Sequence, residues 1–146
     1  MYITNTDIQT RLGNALYVQL TDDTGSGSAN VSVVNEARLG AEGEVDAYLA
    51  TRYQVPIDLA VHPELSGVLV SIALDLAEYR LRSRRPPIPA DAVAKRAAAV
   101  EWLRRVSLGE IELPASIAIA SNPATAPRAA RVGDARLLTR EELSGS

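Results

Sequence analysis

The sequence predicts a mainly α fold: a small bundle of about four helices around a buried central helix, with a short strand and an extended C-terminal arm. Three observations lead there. Apolar residues from Val31 to Tyr53 follow a helical period, those from Glu64 to Arg84 are apolar nearly all the way round, and periodicity vanishes after Pro114. The organisation that follows is a helical domain over 1–113 and an arm over 114–146.

In the first of the two central runs, Val34, Ala37, Ala41, Val45, Tyr48 and Leu49 recur on one face of a 3.6-residue period. Asn35, Glu36, Arg38, Glu42 and Asp46 occupy the other side, so the run reads as an amphipathic surface helix with a solvated polar face. Asn30 is placed to cap it, since its side-chain oxygen can accept a free N–H of the first turn. Gly40 and Gly43 each weaken the helix by about 1 kcal/mol relative to Ala. Packing must compensate, or a neighbour must approach closely. Pro56 requires the helix to end before it.

The second central run (Leu65, Val68 to Val70, Ile72 to Leu74, Leu76, Ala77, Leu81) has the composition of a helix that other helices surround. Pro63 suits a first helical position, where a missing N–H costs nothing. Asp75 and Glu78, with the modest length, argue against a membrane span.

The flanking elements are shorter. Thr4 followed by Asp7 forms a capping pattern for a first helix that runs to Arg11 and stops at Gly13, with another turn from Ala15 to Leu20. The loop TDDTGSGSA from Thr21 to Ala29 contains Asp22 and Asp23, yet neither starts a twelve-residue calcium loop with an acid at its last position. It reads as a turn. Arg80, Arg82, Arg84 and Arg85 crowd a helix C-terminus, where unsatisfied carbonyls favour positive charge, and the prolines at 86, 87 and 89 make a stiff connector. A further helix spans Asp91 to Leu108, with Val93, Ala97, Val100, Leu103 and Val106 predicted inward and Gly109 as its stop. Trp102, the single tryptophan, is expected at a core edge. Ile111 to Leu113 can form one short strand, ended by Pro114.

Composition sets limits on function. One hundred and forty-six residues suffice for one domain. With five Tyr, one Trp and no Phe, the core must be built from Ala, Val, Leu and Ile. A net charge of −3 lacks the basic excess that holds proteins to phosphate backbones. Zero cysteines exclude disulfides and thiolate metal sites. The start, MYITNTDIQTRLG, has no basic region followed by an apolar run, which predicts cytosolic synthesis. His62, the only histidine, precedes a proline and reads as a capping or surface residue, and no strained nucleophile turn, phosphate loop or dinucleotide fingerprint occurs. The expectation is therefore a non-enzyme without cofactor or metal.

The arm from Ala115 to Asp134 consists largely of Ala, Ser, Pro, Asn and Arg, which cannot alone offset ordering entropy. Its end, Arg136 to Leu143, regains apolar and charged residues. This pattern suggests a reach onto a neighbour through Arg128, Arg131, Arg136, Leu137, Leu138, Arg140 and Leu143. A plain disordered tail is the competing account. Within the body, Tyr48, Tyr53 and Tyr79 are expected between the two central helices, with Arg52 beside that seam as partner for a buried carboxylate such as Asp75.

The stretch Glu44-Val45-Asp46-Ala47-Tyr48-Leu49-Ala50-Thr51-Arg52-Tyr53-Gln54-Val55-Pro56 resembles the signature of the Mu-like phage head-to-tail connector (neck adaptor) proteins. The resemblance continues through Met1 to Thr4, Leu20 to Asp22, Asp75 to Leu81, Trp102-Leu103, Gly109 to Leu113 and Arg136 to Arg140. Leu138 stands where the family usually has an aromatic, and a tyrosine common early in the last helix is missing around Ala97. The resemblance implies a structural protein of the virion neck, made in the bacterial host cytoplasm and assembled as a homo-oligomeric ring of about twelve copies with head-to-tail contacts. Its implied partners are the portal protein, a tail-completion or stopper protein, and genomic double-stranded DNA passing through the lumen without sequence-specific binding, with the arm over 114–146 as the reach to the portal or to a neighbouring subunit; no membrane is involved. An acidic balance suits such a channel, since a strongly basic wall would hold phosphates. Two other readings stay open: a helical DNA-binding regulator using Arg80 to Arg85 or Arg104 and Arg105, and a host cytosolic interaction module.

Overall fold

The structure, a computed structural model, describes residues 1–119. It is mainly helical. Among the described residues five α-helices follow in order: α1 (Asn5–Leu12), α2 (Asn14–Thr21), α3 (Val31–Leu49), α4 (Ser66–Arg82) and α5 (Ala90–Ser107). Short 3₁₀ turns at Pro63–Leu65 and Ala115–Ile117 introduce α4 and follow α5.

Local chemistry sets the boundaries. Asp7 N–H donates to Thr4 Oγ1 at 3.1 Å while Thr4 N–H donates to the Asp7 carboxylate at 2.7 Å, so the capping box forms. Gly13, at φ 86°, lets the chain turn between α1 and α2 in a conformation that favours glycine. What the sequence suggests as one added turn is the eight-residue helix α2. Asn30 caps α3 through Ser32 N–H at 3.0 Å. Helix α3 ends at Leu49, earlier than the predicted Tyr53, so that Arg52 and Tyr53 lie beyond it.

Helix α4 is the centre of the bundle and packs on α3, α5 and α1. Leu69, Ile72, Ala73, Leu76, Ala77 and Leu81 are buried from it. They meet Val34, Ala37, Ala41, Val45 and Leu49 of α3, Leu103 and Val106 of α5, and Ile3, Ile8, Tyr17 and Leu20 of the N-terminal part. Small residues on α3 and α4 stand in for the scarce aromatics by letting helix axes approach. Gly40 is one of them: an added Cβ would lie 2.7 Å from the Arg80 guanidinium, whereas one at Gly43 would meet nothing within 4 Å.

Two expectations need correction. Helix α5 is rotated from the predicted face: Ala92, Ala99, Leu103 and Val106 are buried, while Val93 and Ala97 are exposed. The run Ala-Val-Ala-Lys-Arg-Ala-Ala-Ala-Val is apolar on more than one side, so α4 and the pairing of Arg96 decide its orientation. Ile111 to Leu113 also forms no strand. Leu113 N–H donates to Tyr53 Oη at 2.9 Å, and the pairing moves past Pro114 to an isolated antiparallel bridge between Tyr53 and Ala118.

The two glycines of α3 are expected to respond differently to alanine. Gly43→Ala should stabilise the fold by up to about 1 kcal/mol through helix propensity, and Gly40→Ala should gain less because Arg80 must move aside. Urea unfolding of both variants checks this; equal gains would contradict the packing at Gly40.

Candidate functional site

The polar side of α3 is not simply solvated. Glu42 is buried, and its Oε1 accepts the N–H groups of Tyr2 and Ile3, the latter at 3.1 Å, while Oε2 takes Arg38 Nη1 at 3.1 Å. A buried carboxylate is tolerated when its lone pairs are filled and a cation is beside it. Tyr2 continues the tie. Its hydroxyl donates to Asp46 Oδ1 at 2.5 Å and accepts Ile57 N–H at 3.0 Å. Burial first, then the Asp46 bond, pushes its phenol well above the ordinary tyrosine range. Glu44 bridges Arg80 at 3.3 Å and Arg96 at 3.1 Å, and Arg96 lies over the Tyr79 ring, 5.1 Å from its centre.

The arginines after α4 are occupied as well. Arg84 donates to the Leu20 carbonyl, and Arg85 to those of Gln19 and Asp22 at 3.1 and 3.2 Å. These are carbonyls left open at the end of α2. Both arginines also pair with Asp23, at 2.6 and 2.8 Å. Asp22 turns its carboxylate onto its own loop, accepting N–H groups of Gly27 at 2.7 Å, Thr24 at 3.1 Å and Ser26 at 3.2 Å. Those bonds, Gly27's foremost, hold its pKa down to about 2. Its oxygens are thus taken by the turn itself.

The other end of the bundle holds most of the predicted seam residues. Tyr48 lies half-buried in the last turn of α3. Tyr53 is buried past that helix, under the segment 113–118 rather than between the central helices. Gln54 N–H donates to the Ile117 carbonyl at 2.8 Å and Ile119 N–H to the Arg52 carbonyl at 3.0 Å. The chain leaving the body is therefore fastened to the loop after α3. Arg52 does not meet Asp75. Its guanidinium lies 5.9 Å from the Tyr53 ring centre and beside Gly109, where an added Cβ would be 2.6 Å from Nη1. Nη1 is buried and unpaired among the described residues. Asp75 instead pairs with Arg11 at 2.7 Å, because α1 and not the loop after α3 crosses that part of α4. Arg11 also reaches Glu78 at 3.4 Å, and Arg82 closes the set on Glu78 at 2.8 Å.

Tyr79 sits toward α5 under Arg96, and Trp102 is half-buried at the core edge beside Ile111. Arg128, Arg131, Arg136, Leu137, Leu138, Arg140 and Leu143 lie outside the described residues. The residues that sequence reasoning missed are Tyr2, Arg11 and Glu42. Glu42 left a trace: it lies one heptad before Leu49, and so within about 20° of that buried position on the helix.

Residues 2–132 match the model of the family described as Bacteriophage Mu, Gp36. The chain belongs to this family. It is a Mu-like phage protein. The Gp36 match spans the described body from residue 2 onward and takes in Arg128 and Arg131, while Arg136 to Leu143 lie beyond it. No curated protein matches the chain. Among the described residues no helix is long and apolar enough to cross a membrane.

Glu42→Ala should destabilise this Gp36-family body by about 3 kcal/mol, by stranding two buried N–H groups and the Arg38 charge. Amide exchange at Tyr2 and Ile3 should quicken in the same variant. A loss under about 1 kcal/mol in urea unfolding would contradict a structural role for that carboxylate.

Proposed function

We propose that the chain is a structural head-to-tail connector of the virion neck, not an enzyme and without a cofactor. Copies form a ring beneath the portal, line part of the DNA channel and offer the tail, or a stopper protein, a surface to join. Membership of the Gp36 family supports a role in phage morphogenesis. The observation that carries the finer reading is the fastening of residues 117–119 on the loop after α3. A segment whose purpose is to reach a neighbour needs a rigid root, so that binding far along the chain transmits a defined position to the body.

The charges favour this reading over a DNA-binding regulator. Arg80, Arg84 and Arg85 are engaged by Glu44, Asp23 and main-chain carbonyls. Arg104 and Arg105 share Glu101 at 2.8 and 3.1 Å. Phosphate contacts by these groups would have to replace bonds already made, and the overall charge of −3 repels a duplex.

Truncation tests the role of the segment after the root. A cut after Pro114, the boundary that sequence suggests, would remove Ile117, which is buried, and the bonds to Gln54 and Arg52. The informative cut falls after Ile119. That chain should keep the helical circular dichroism and thermal midpoint of the full protein but fail to restore tailed particles to a phage lacking it. Tailed particles at normal yield would contradict the proposal.

A further inference from the structure

Between the second half of α5 and Ile111, which follows it in the chain, lies a shallow, mostly apolar groove of about 340 Å³, lined by Ala98, Glu101, Trp102, Arg105 and Ile111. Building on the connector reading, we infer that this groove seats the segment Arg136–Leu143 of a second copy of the chain. Four observations lead to that occupant.

The first is chemical fit. The segment, Arg-Leu-Leu-Thr-Arg-Glu-Glu-Leu, offers a leucine pair flanked by charges of both signs. The groove offers an indole and an isoleucine, with Glu101, Glu110, Arg104 and Arg105 around it. Among the described residues those four charges pair only with one another, in exposed positions where such pairs contribute little and exchange readily. The second is exposed apolar surface nearby in the chain: Leu108 is 59% and Ile119 49% accessible. The third is Arg52. Its Nη1, buried and unpaired among the described residues, rests on Gly109, two residues from Ile111, so this corner of the body has a donor to offer an incoming carboxylate or carbonyl once side chains shift.

The fourth is reach. Sixteen residues lie between Ile119 and Arg136, so the seventeen steps from one to the other span up to about 56 Å when extended. A body of this size is about 35 Å across, so the segment can arrive on the next copy. A ring requires one patch to meet a different patch on its neighbour. The segment and the groove supply such a pair.

The absence of native cysteine makes the test specific. Two single variants, A98C and L138C, are supplied together to a phage lacking the chain, and purified particles are oxidised and run without reductant. Only contacts between different copies can then form a disulfide. The expected result is a linked dimer at least about tenfold more abundant than from T24C with L138C, Thr24 lying in the loop at the other end of the bundle. The double variant A98C/L138C should give a ladder of multimers. A closed monomer alone from the double variant would show that each copy fills its own groove, and would overturn the inference. Variants present in particles without any such link would overturn it while leaving the connector reading standing. Variants absent from particles that carry the wild-type chain when it is supplied would be read through wild-type chain mixed with each variant; absence of the wild-type chain itself from particles would sink both.

Discussion

The fold depends on burying a helix that still carries charge. Asp75 and Glu78 sit on α4, on which the other four α-helices pack, and each would be costly there without a cation. Arg11 and Arg82 supply that cation from α1 and from the next turn of α4 itself. The arrangement does more than neutralise charge. Because Arg11 comes from α1, the N-terminal pair of helices must lie across α4 for the charges to be met, and apolar residues such as Ile8 are carried into the core with it. The same logic recurs on α3, where Glu42 binds the first residues of the chain, and at the end of α4, where Arg84 and Arg85 fasten α2. Polar ties, each linking one element to another, give direction to a core made largely of interchangeable aliphatic side chains.

What could be read from the sequence was what local rules govern. The period of Val34 to Leu49, the all-round apolar α4, the Thr4 and Asn30 caps and the stops at Gly13 and Gly109 depend on neighbours a few residues away, and they hold in the structure. Long-range choices were less legible. Whether Asp75 would meet Arg52 or Arg11 turns on which element crosses α4, a question that spacing along the chain does not answer. The orientation of α5 was underdetermined because alanine suits either side, and the short strand failed because Tyr53 took its N–H. The polar face of α3 was misread as solvated for the same reason: partners of Glu42 and Asp46 lie some forty residues away in sequence.

Placed together, these features divide the described chain into a fastened helical body and an end from which further residues depart. The end is built from Tyr48, Arg52, Tyr53, Trp102, the turn at Gly109 and residues 113–119, contributed by three separate parts of the sequence. Such a convergence of loop residues around a chain exit is what a subunit needs if contacts with other copies are to fix its orientation. The stretch also contains much of the motif by which the sequence resembles neck adaptors. Under the proposed function the motif serves the root of an assembly contact, while the arginine-rich end of α4, paired with carboxylates and main-chain carbonyls, serves the body.

The central claim is that copies of this chain assemble on a portal, and native mass spectrometry of the purified protein, alone and mixed with the portal of its own phage, tests it most directly. The account predicts a monomer or small oligomer in isolation that becomes one defined multimer on the portal. A stable species whose mass is indifferent to the portal would contradict it, and would shift the weight to an interaction module acting in the host cytosol.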